Sequence, residues 1–292
     1  MEVHLVDGTY ELFRHFYGAP PHRTKSGYEV GAIRGVLSSL LALLADGATH
    51  VGVAVDHVIE SFRNDMWPGY KTGAGVDPVL WAQSEPLERA MAAMGLVVWS
   101  MVELEADDAL ASAAEVAAAD PTVDRVVICT PDKDLGQCVV GDRVVQLDRR
   151  KRMLLDEAGV RAKFGVGPGS IPDYLALVGD SADGFPGLPG FGAKSAAAVV
   201  AQYEHLEAIP AAAGQWDVSV RGAPKLAATL VAYHKEALLF RDLATLRRQP
   251  PVIESAEQLR WSGPTKEFAA VASWLEQPAL AERAAHLAPS RR

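Results

Sequence analysis

Apolar residues fall along this chain in two kinds of run. Short β-branched stretches, HLV at 4–6, VGVAV at 51–55 and VVIC at 126–129, are apolar throughout, the pattern of parallel strands buried on both faces. Between them lie longer stretches of helix-forming composition, EPLERAMAAM and the alanine-rich EADDALASAAEVAAA. This alternation runs to about residue 165 and predicts an α/β fold, a mostly parallel sheet flanked by helices. VVQLDRRKRMLLD, 144–156, predicts a hairpin closing that region. The Gly and Pro of KFGVGPGSIP, 163–172, mark a break. Beyond it only helical patterns remain: DYLALVG, KSAAAVVAQY, PKLAATLVAYHKEALLFRDLATL and the tail segment TKEFAAVASWLEQPALAERAA, which should pack back as one or two helices. Two domains follow, 1–165 and a helical 166–292. From Phe62 to Gly95 the pattern departs from a tight crossover, because Pro68, Gly69, Gly73, Gly75 and Pro78 interrupt it. An insertion is expected there.

Nine carboxylates are placed where those elements should end: Asp7 and Asp56 after the first two strands, Glu105, Asp107 and Asp108 in the first turn of a helix, Asp132 and Asp134 after VVIC, and Asp180 and Asp183 in VGDSADG. Ligands bind at the C-terminal edge of an open α/β sheet. Each cluster alone also fits helix capping or turn formation. Together they predict one divalent-metal site, because so much like charge needs cations, and hard carboxylate oxygens suit Mg²⁺ or Mn²⁺. The formal net charge of −9 is then local, since setting these nine aside leaves no net charge. The eight histidines show no pair at metal-ligand spacing.

In GFPGLPGFGAKSAAAVVAQY, 184–203, Gly187, Gly190 and Gly192 precede a helix whose free N–H groups point at the same spot. With Lys194 and Ser195 this predicts a phosphate cradle, without the spacing of a nucleotide-triphosphate loop. Arg149, Arg150, Lys151 and Arg152 fall at the predicted hairpin tip, either a solvated turn or a nucleic-acid contact.

In the order LVDG, GAIRGVLSSLL, SFRNDMWPGYK, ELEADDALAS, TPDKDLGQ, VGDSADGFPGLPGFGAKSA and LLFRDLATLR, the chain resembles the structure-specific 5′-nucleases of the flap endonuclease type over roughly residues 1–250. The resemblance implies a PIN-like nuclease core with two or three Mg²⁺ or Mn²⁺ ions. It implies a helical arch at about 62–95 and a helix-three-turn-helix at about 174–203 that grips duplex phosphates around a K⁺ ion. Arg63, Tyr70 and Lys71 match the arch motif, Lys71 as a cation for the scissile phosphate and Tyr70 as an aromatic face. Arg14 and Phe16 match further positions, Arg14 as a phosphate contact; Phe16 or Tyr17 would stack a base while the other packs. The implied substrate is DNA with a 5′ flap, nick or 5′ end, RNA-containing 5′ strands included, acted on by a monomer. Two departures stand out: YKTGAG lacks the arginine that usually follows, with Asp65 and Asp77 thinning the charge further, and Gly184 replaces a common asparagine.

A chain of 292 residues, 49% hydrophobic, can bury a large core. Cys129 and Cys138 provide no disulfide framework, so a reducing, cytoplasmic setting is expected, with no leader and no membrane span. Two other readings stay open: a toxin-type metal-dependent ribonuclease, or a non-catalytic junction-binding protein.

Overall fold

The computed structural model describes residues 1–288, which divide into two compact units. The first comprises Met1–Ile59, Gly73–Thr130 and the segment from Arg248 onward; the second comprises Glu60–Thr72 and Pro131–Arg247. The boundary expected at residue 165 is therefore not where the compact units part. Residues 131–165 group with the helical unit, and the tail groups with the first unit.

In the first unit, β1 (Glu2–Asp7), β2 (His50–Asp56), β3 (Val97–Met101) and β4 (Arg125–Cys129) form a parallel array in the order β3-β2-β1-β4. Register pairs Asp7 with Ala54 and Asp56 with Met101, so all these strands run to one carboxylate-bearing edge. The strands are apolar because both faces are covered: Val3, Leu5, Val6, Val51, Val53 and Ile128 are essentially inaccessible. Each such side chain contributes about 1.5–3 kcal/mol on burial.

Helices α1 (Gly8–Gly18) and α2 (Gly31–Ala45) pack together; α2 buries Ile33, Val36, Leu37, Leu40, Leu41 and Leu44, a stripe at helical spacing. In the second unit, α3 (Phe62–Met66) is a single capped turn and a bit. Back in the first unit, α4 (Pro78–Trp81) is one turn, and α5 (Ser84–Ala93) packs on β3 and α2 as an ordinary crossover helix. The stretch expected as a helical arch divides between the two units. Its first residues belong to the second unit and its last to the strand layer. Helix α6 (Ala106–Ala119) buries Ala109, Leu110, Ala113, Ala114 and Ala117. Such small side chains let it approach all four strands.

The second unit contains the antiparallel pair β5 (Val144–Asp148) and β6 (Met153–Leu155), which is the expected hairpin. It continues through α7 (Glu157–Phe164), α8 (Ile171–Val178), α9 (Ala193–Tyr203), α10 (Ala223–Ala232) and α11 (His234–Ala244). Its core gathers Tyr174, Leu175, Leu177, Phe185, Leu188, Val199 and Phe240, with Phe185 stacked on Phe240 at 5.7 Å. Finally, α12 (Phe268–Trp274) and α13 (Ala279–Leu287) return to the first unit, α13 against α2. Among the described residues no helix is long and apolar enough to cross a membrane.

Candidate metal centre

At the carboxylate edge of the first unit the acids are also the local scaffold. Asp7 caps α1, its Oδ1 accepting from Tyr10 N–H at 2.8 Å and its Oδ2 from the Thr130 hydroxyl at 2.9 Å. Asp56 Oδ1 accepts from Ala106 N–H at 2.8 Å, which pins the start of α6 beside the end of β2. Its own N–H donates to Thr9 Oγ1 at 2.8 Å. Glu105 and Asp108 form the reciprocal capping box of α6 and are both buried, while Asp107 is half-buried. Capping consumes only part of each carboxylate, since an ionised group offers about four acceptor positions.

The second unit carries the tightest cluster. Asp134, Asp180 and Asp183 present carboxylate oxygens all within 4.8 Å of one another, the one such grouping among the described residues. Asp134 begins a short 3-10 turn, and its N–H donates to Asp132 Oδ1 at 3.0 Å. Gly179, at φ +80, ends α8 and releases Asp180 into a turn where its Oδ1 accepts from Ala182 N–H at 2.9 Å. Burial first, then repulsion from Asp132, Asp183 and Asp180, pushes the Asp134 carboxyl well above its usual range, against a smaller pull from Lys133. Its Oδ1 is buried and accepts no hydrogen bond. A buried, unpartnered carboxylate oxygen facing two more carboxylates is a donor set that fits a hard divalent cation.

Two lysines hold this cluster. Lys71 Nζ lies 3.1 Å from Asp183 Oδ1, and its N–H donates to the Asp183 carbonyl at 2.9 Å. Lys133 Nζ lies 2.6 Å from Asp180 Oδ2. Burial alone would lower the Lys133 ammonium, but hydrogen bonding and attraction to Asp180, then attraction to Asp134 and Asp132, outweigh it and raise it. Sequence reasoning missed Lys133, although its place between Asp132 and Asp134 in PDKD was a signal. Gln146 was missed too; its amide donates to the Asp132 carbonyl and steadies the acid-bearing loop.

Several expected site residues have other work. Arg63 is 1% exposed; its guanidinium donates to the carbonyls of Leu243 and Thr245. That makes it an internal strut instead of a DNA contact. Tyr70 is 3% exposed inside the helical core, so it presents no aromatic face to a base. Arg14, partly accessible, pairs through Nη2 with the fully buried Glu11 and donates to Ser39 Oγ at 3.3 Å. Phe16 is half-buried and Tyr17 is exposed, meeting edge to face at 5.2 Å.

The glycines of the loop divide by role. Gly187, at φ +69, is buried, and a Cβ there would overlap the backbone of Gly179, Val178 and Leu177. It closes the loop on α8 and is not free to approach a phosphate. Gly190 and Gly192 are exposed, with room for a Cβ, and Gly192 starts α9. Lys194 is exposed, and the Ser195 hydroxyl bonds both the N–H and the carbonyl of Gly192 at 3.0 Å, fixing the helix start. Gly184 has φ +83, and a side chain there would run into the Gly69 carbonyl; Trp67 Nε1 donates to the Gly184 carbonyl at 3.1 Å. The departure from asparagine thus lets the 67–71 segment press against the loop of Asp183.

Two family descriptions match in succession: 5′-3′ exonuclease, N-terminal resolvase-like domain, over residues 2–165, and 5′-3′ exonuclease, C-terminal SAM fold, over 166–267. DNA polymerase I of Pseudomonas aeruginosa is 35% identical over 274 residues, covering 90% of this chain, which spans 29% of that polymerase. A 5′-3′ exonuclease of Buchnera aphidicola is 27% identical over 259 residues, covering 87% of this chain and 89% of its own. In fold, the bacteriophage T5 flap endonuclease, solved in a complex with DNA and metal ions, superimposes with a TM-score of 0.66 at 16% identity, over 98% of both chains. The order of motifs, the two matched domains and the shared fold agree, and the chain belongs to the 5′-3′ exonuclease family of metal-dependent nucleases.

Proposed function

We propose that this chain hydrolyses DNA phosphodiesters at junctions of duplex and single strand, as a flap endonuclease and 5′-exonuclease serving replication and repair. The observation that carries the proposal is the triad Asp134, Asp180 and Asp183 within 4.8 Å, its buried unpartnered Asp134 oxygen, and Lys71 beside Asp183. Relatives bearing the names DNA polymerase I and 5′-3′ exonuclease support it.

Asp134, Asp180 and Asp183, with Asp132 adjoining, would hold Mg²⁺ or Mn²⁺. Asp7, Asp56, Glu105, Asp107 and Asp108 are proposed as further metal-ligating carboxylates. Bound divalent ions supply Lewis-acid stabilisation and a water of lowered pKa. The chain's own part is positional. Asn64 donates to the Lys71 carbonyl at 2.9 Å, and the Asp183 carbonyl holds the Lys71 N–H, so the ammonium stays beside the cluster. There it neutralises charge developing on a phosphoryl oxygen. The products are a 3′-hydroxyl and a 5′-phosphate. The exposed start of α9, with Gly190, Gly192, Lys194 and Ser195, takes duplex phosphates by backbone contact and selects by shape, with K⁺ at the same loop. Arg63 and Tyr70 support this machinery from inside.

The test is a 5′-flap DNA, a fully paired duplex and a single-stranded RNA, each incubated with Mg²⁺, Mn²⁺ or chelator. Metal-dependent cleavage of the flap is expected. Cleavage of the RNA alone would mark a ribonuclease, and flap binding without cleavage in either metal would mark a junction-binding protein.

A further inference from the structure

The hairpin joining β5 to β6 presents Arg149, Arg150, Lys151 and Arg152 in a four-residue loop between the paired residues Asp148 and Met153. Arg150, Lys151 and Arg152 are exposed. The loop is built, not slack. Asp148, 3% exposed, accepts from the Lys151 N–H at 3.0 Å through Oδ1 and faces the Lys151 ammonium at 3.6 Å through Oδ2. Arg152 takes the left-handed conformation, φ +53, that turns the chain back into β6. One buried carboxylate thus anchors the turn, leaving an excess of positive charge at its surface.

Through β5 the tip is also tied to the acid-bearing loop: the Gln146 amide donates to the Asp132 carbonyl, and the tip begins three residues on, about 10 Å along a strand. A dense run of cations on an ordered turn is what a polyanion neutralises.

We propose that the Arg149–Arg152 tip is a further duplex-phosphate contact of the second unit, separate from the glycine loop. This deepens the reading of the chain as a nuclease acting on duplex-containing DNA and rests on it. The occupant is the phosphate backbone, because fork-shaped guanidiniums suit phosphate and the loop offers no aromatic platform or apolar wedge for bases or lipid. The contact would make affinity depend on the length of duplex available.

The experiment compares the wild-type chain with the triple variant Arg149→Gln/Arg150→Gln/Arg152→Gln, which keeps Lys151 on Asp148. Binding to flap DNA with short and long duplex arms is measured across a salt series in Ca²⁺. Each lost phosphate contact flattens the plot of log affinity against log salt by about 0.9. A fall of about 2–3 in slope and a loss of roughly tenfold or more in affinity are expected on the long arm, and much less on the short arm. Unchanged affinity and slope on both arms would overturn the proposal, as would a loss confined to single-stranded RNA or to anionic lipid vesicles. Thermal melts show whether the variant folds. If the wild type cleaves no flap in Mg²⁺ or Mn²⁺, the nuclease reading itself fails; if it cleaves and the triple variant binds as tightly, only this inference does.

Discussion

Replacing Asp134 by Asn should stabilise the protein when no divalent ion is present. The Asp134 oxygens lie within 4.8 Å of those of Asp180 and Asp183. At an effective dielectric constant near 20, two unit charges at that distance repel by about 3.5 kcal/mol. Lys133 offsets part of this, and a net relief on the order of 1–3 kcal/mol remains. At about 3 °C per kcal/mol, the melting temperature in chelator, at a pH above the raised Asp134 value, should rise roughly 3–9 °C. The pH dependence fixes the sign independently. Because the folded Asp134 carboxyl is raised above its unfolded value, the folded state binds the proton more tightly. Metal-free wild type should therefore gain stability as pH falls through the raised value, and the gain should level off near the ordinary carboxylate range. The Asn variant should lack that rise. Added Mg²⁺, Mn²⁺ or Ca²⁺ should reverse the order, stabilising wild type more than the variant. Melts across pH, with chelator and with each ion, read all three effects. A variant less stable than wild type in chelator at every pH, or an equal response to divalent ions, would refute the reasoning.

Gly187→Ala should cost about 2–4 kcal/mol, combining left-handed strain with backbone overlap, whereas Gly192→Ala should leave the urea midpoint nearly unchanged. Lys71→Ala should slow single-turnover flap cleavage by about 10² or more, the loss typical of one preorganised donor; normal cleavage would remove Lys71 from the chemistry. Arg63→Met should destabilise by about 2–4 kcal/mol because carbonyls of Leu243 and Thr245 lose a buried donor, and a wild-type melt would contradict that.

What could be read from sequence depended on whether one residue's surroundings were local. The strands around Val6, Val53 and Ile128 were legible because parallel strands covered on both faces leave continuous apolar runs. Asp134, Asp180 and Asp183 were legible as acids in turn-forming contexts. The hairpin over 144–155 was legible from its paired apolar runs. The failures were long-range. Nothing near Arg63 in sequence announces the carbonyls 180 and 182 residues away that bury it. Tyr70 reads as an exposed turn residue until the helical core closes over it. Gly187 and Gly192 look alike in GLPGFG, and only the backbone packed against Gly187 tells them apart. The domain boundary at 165 was legible and is where the two family descriptions meet, whereas the grouping of the tail with the first unit rests on contacts with elements that precede it by more than a hundred residues.

The central claim, that a carboxylate cluster centred on Asp134, Asp180 and Asp183 carries metal-dependent hydrolysis of junction DNA, is tested most directly by single-turnover cleavage of a 5′-flap substrate. Wild type and Asp183→Asn would be compared in Mg²⁺, in Mn²⁺ and in chelator, with flap binding measured alongside. The account predicts that wild type cleaves only with a divalent ion, and that Asp183→Asn loses orders of magnitude in rate while binding the flap at least as tightly. Cleavage by wild type in chelator, or by Asp183→Asn at the wild-type rate, would contradict it.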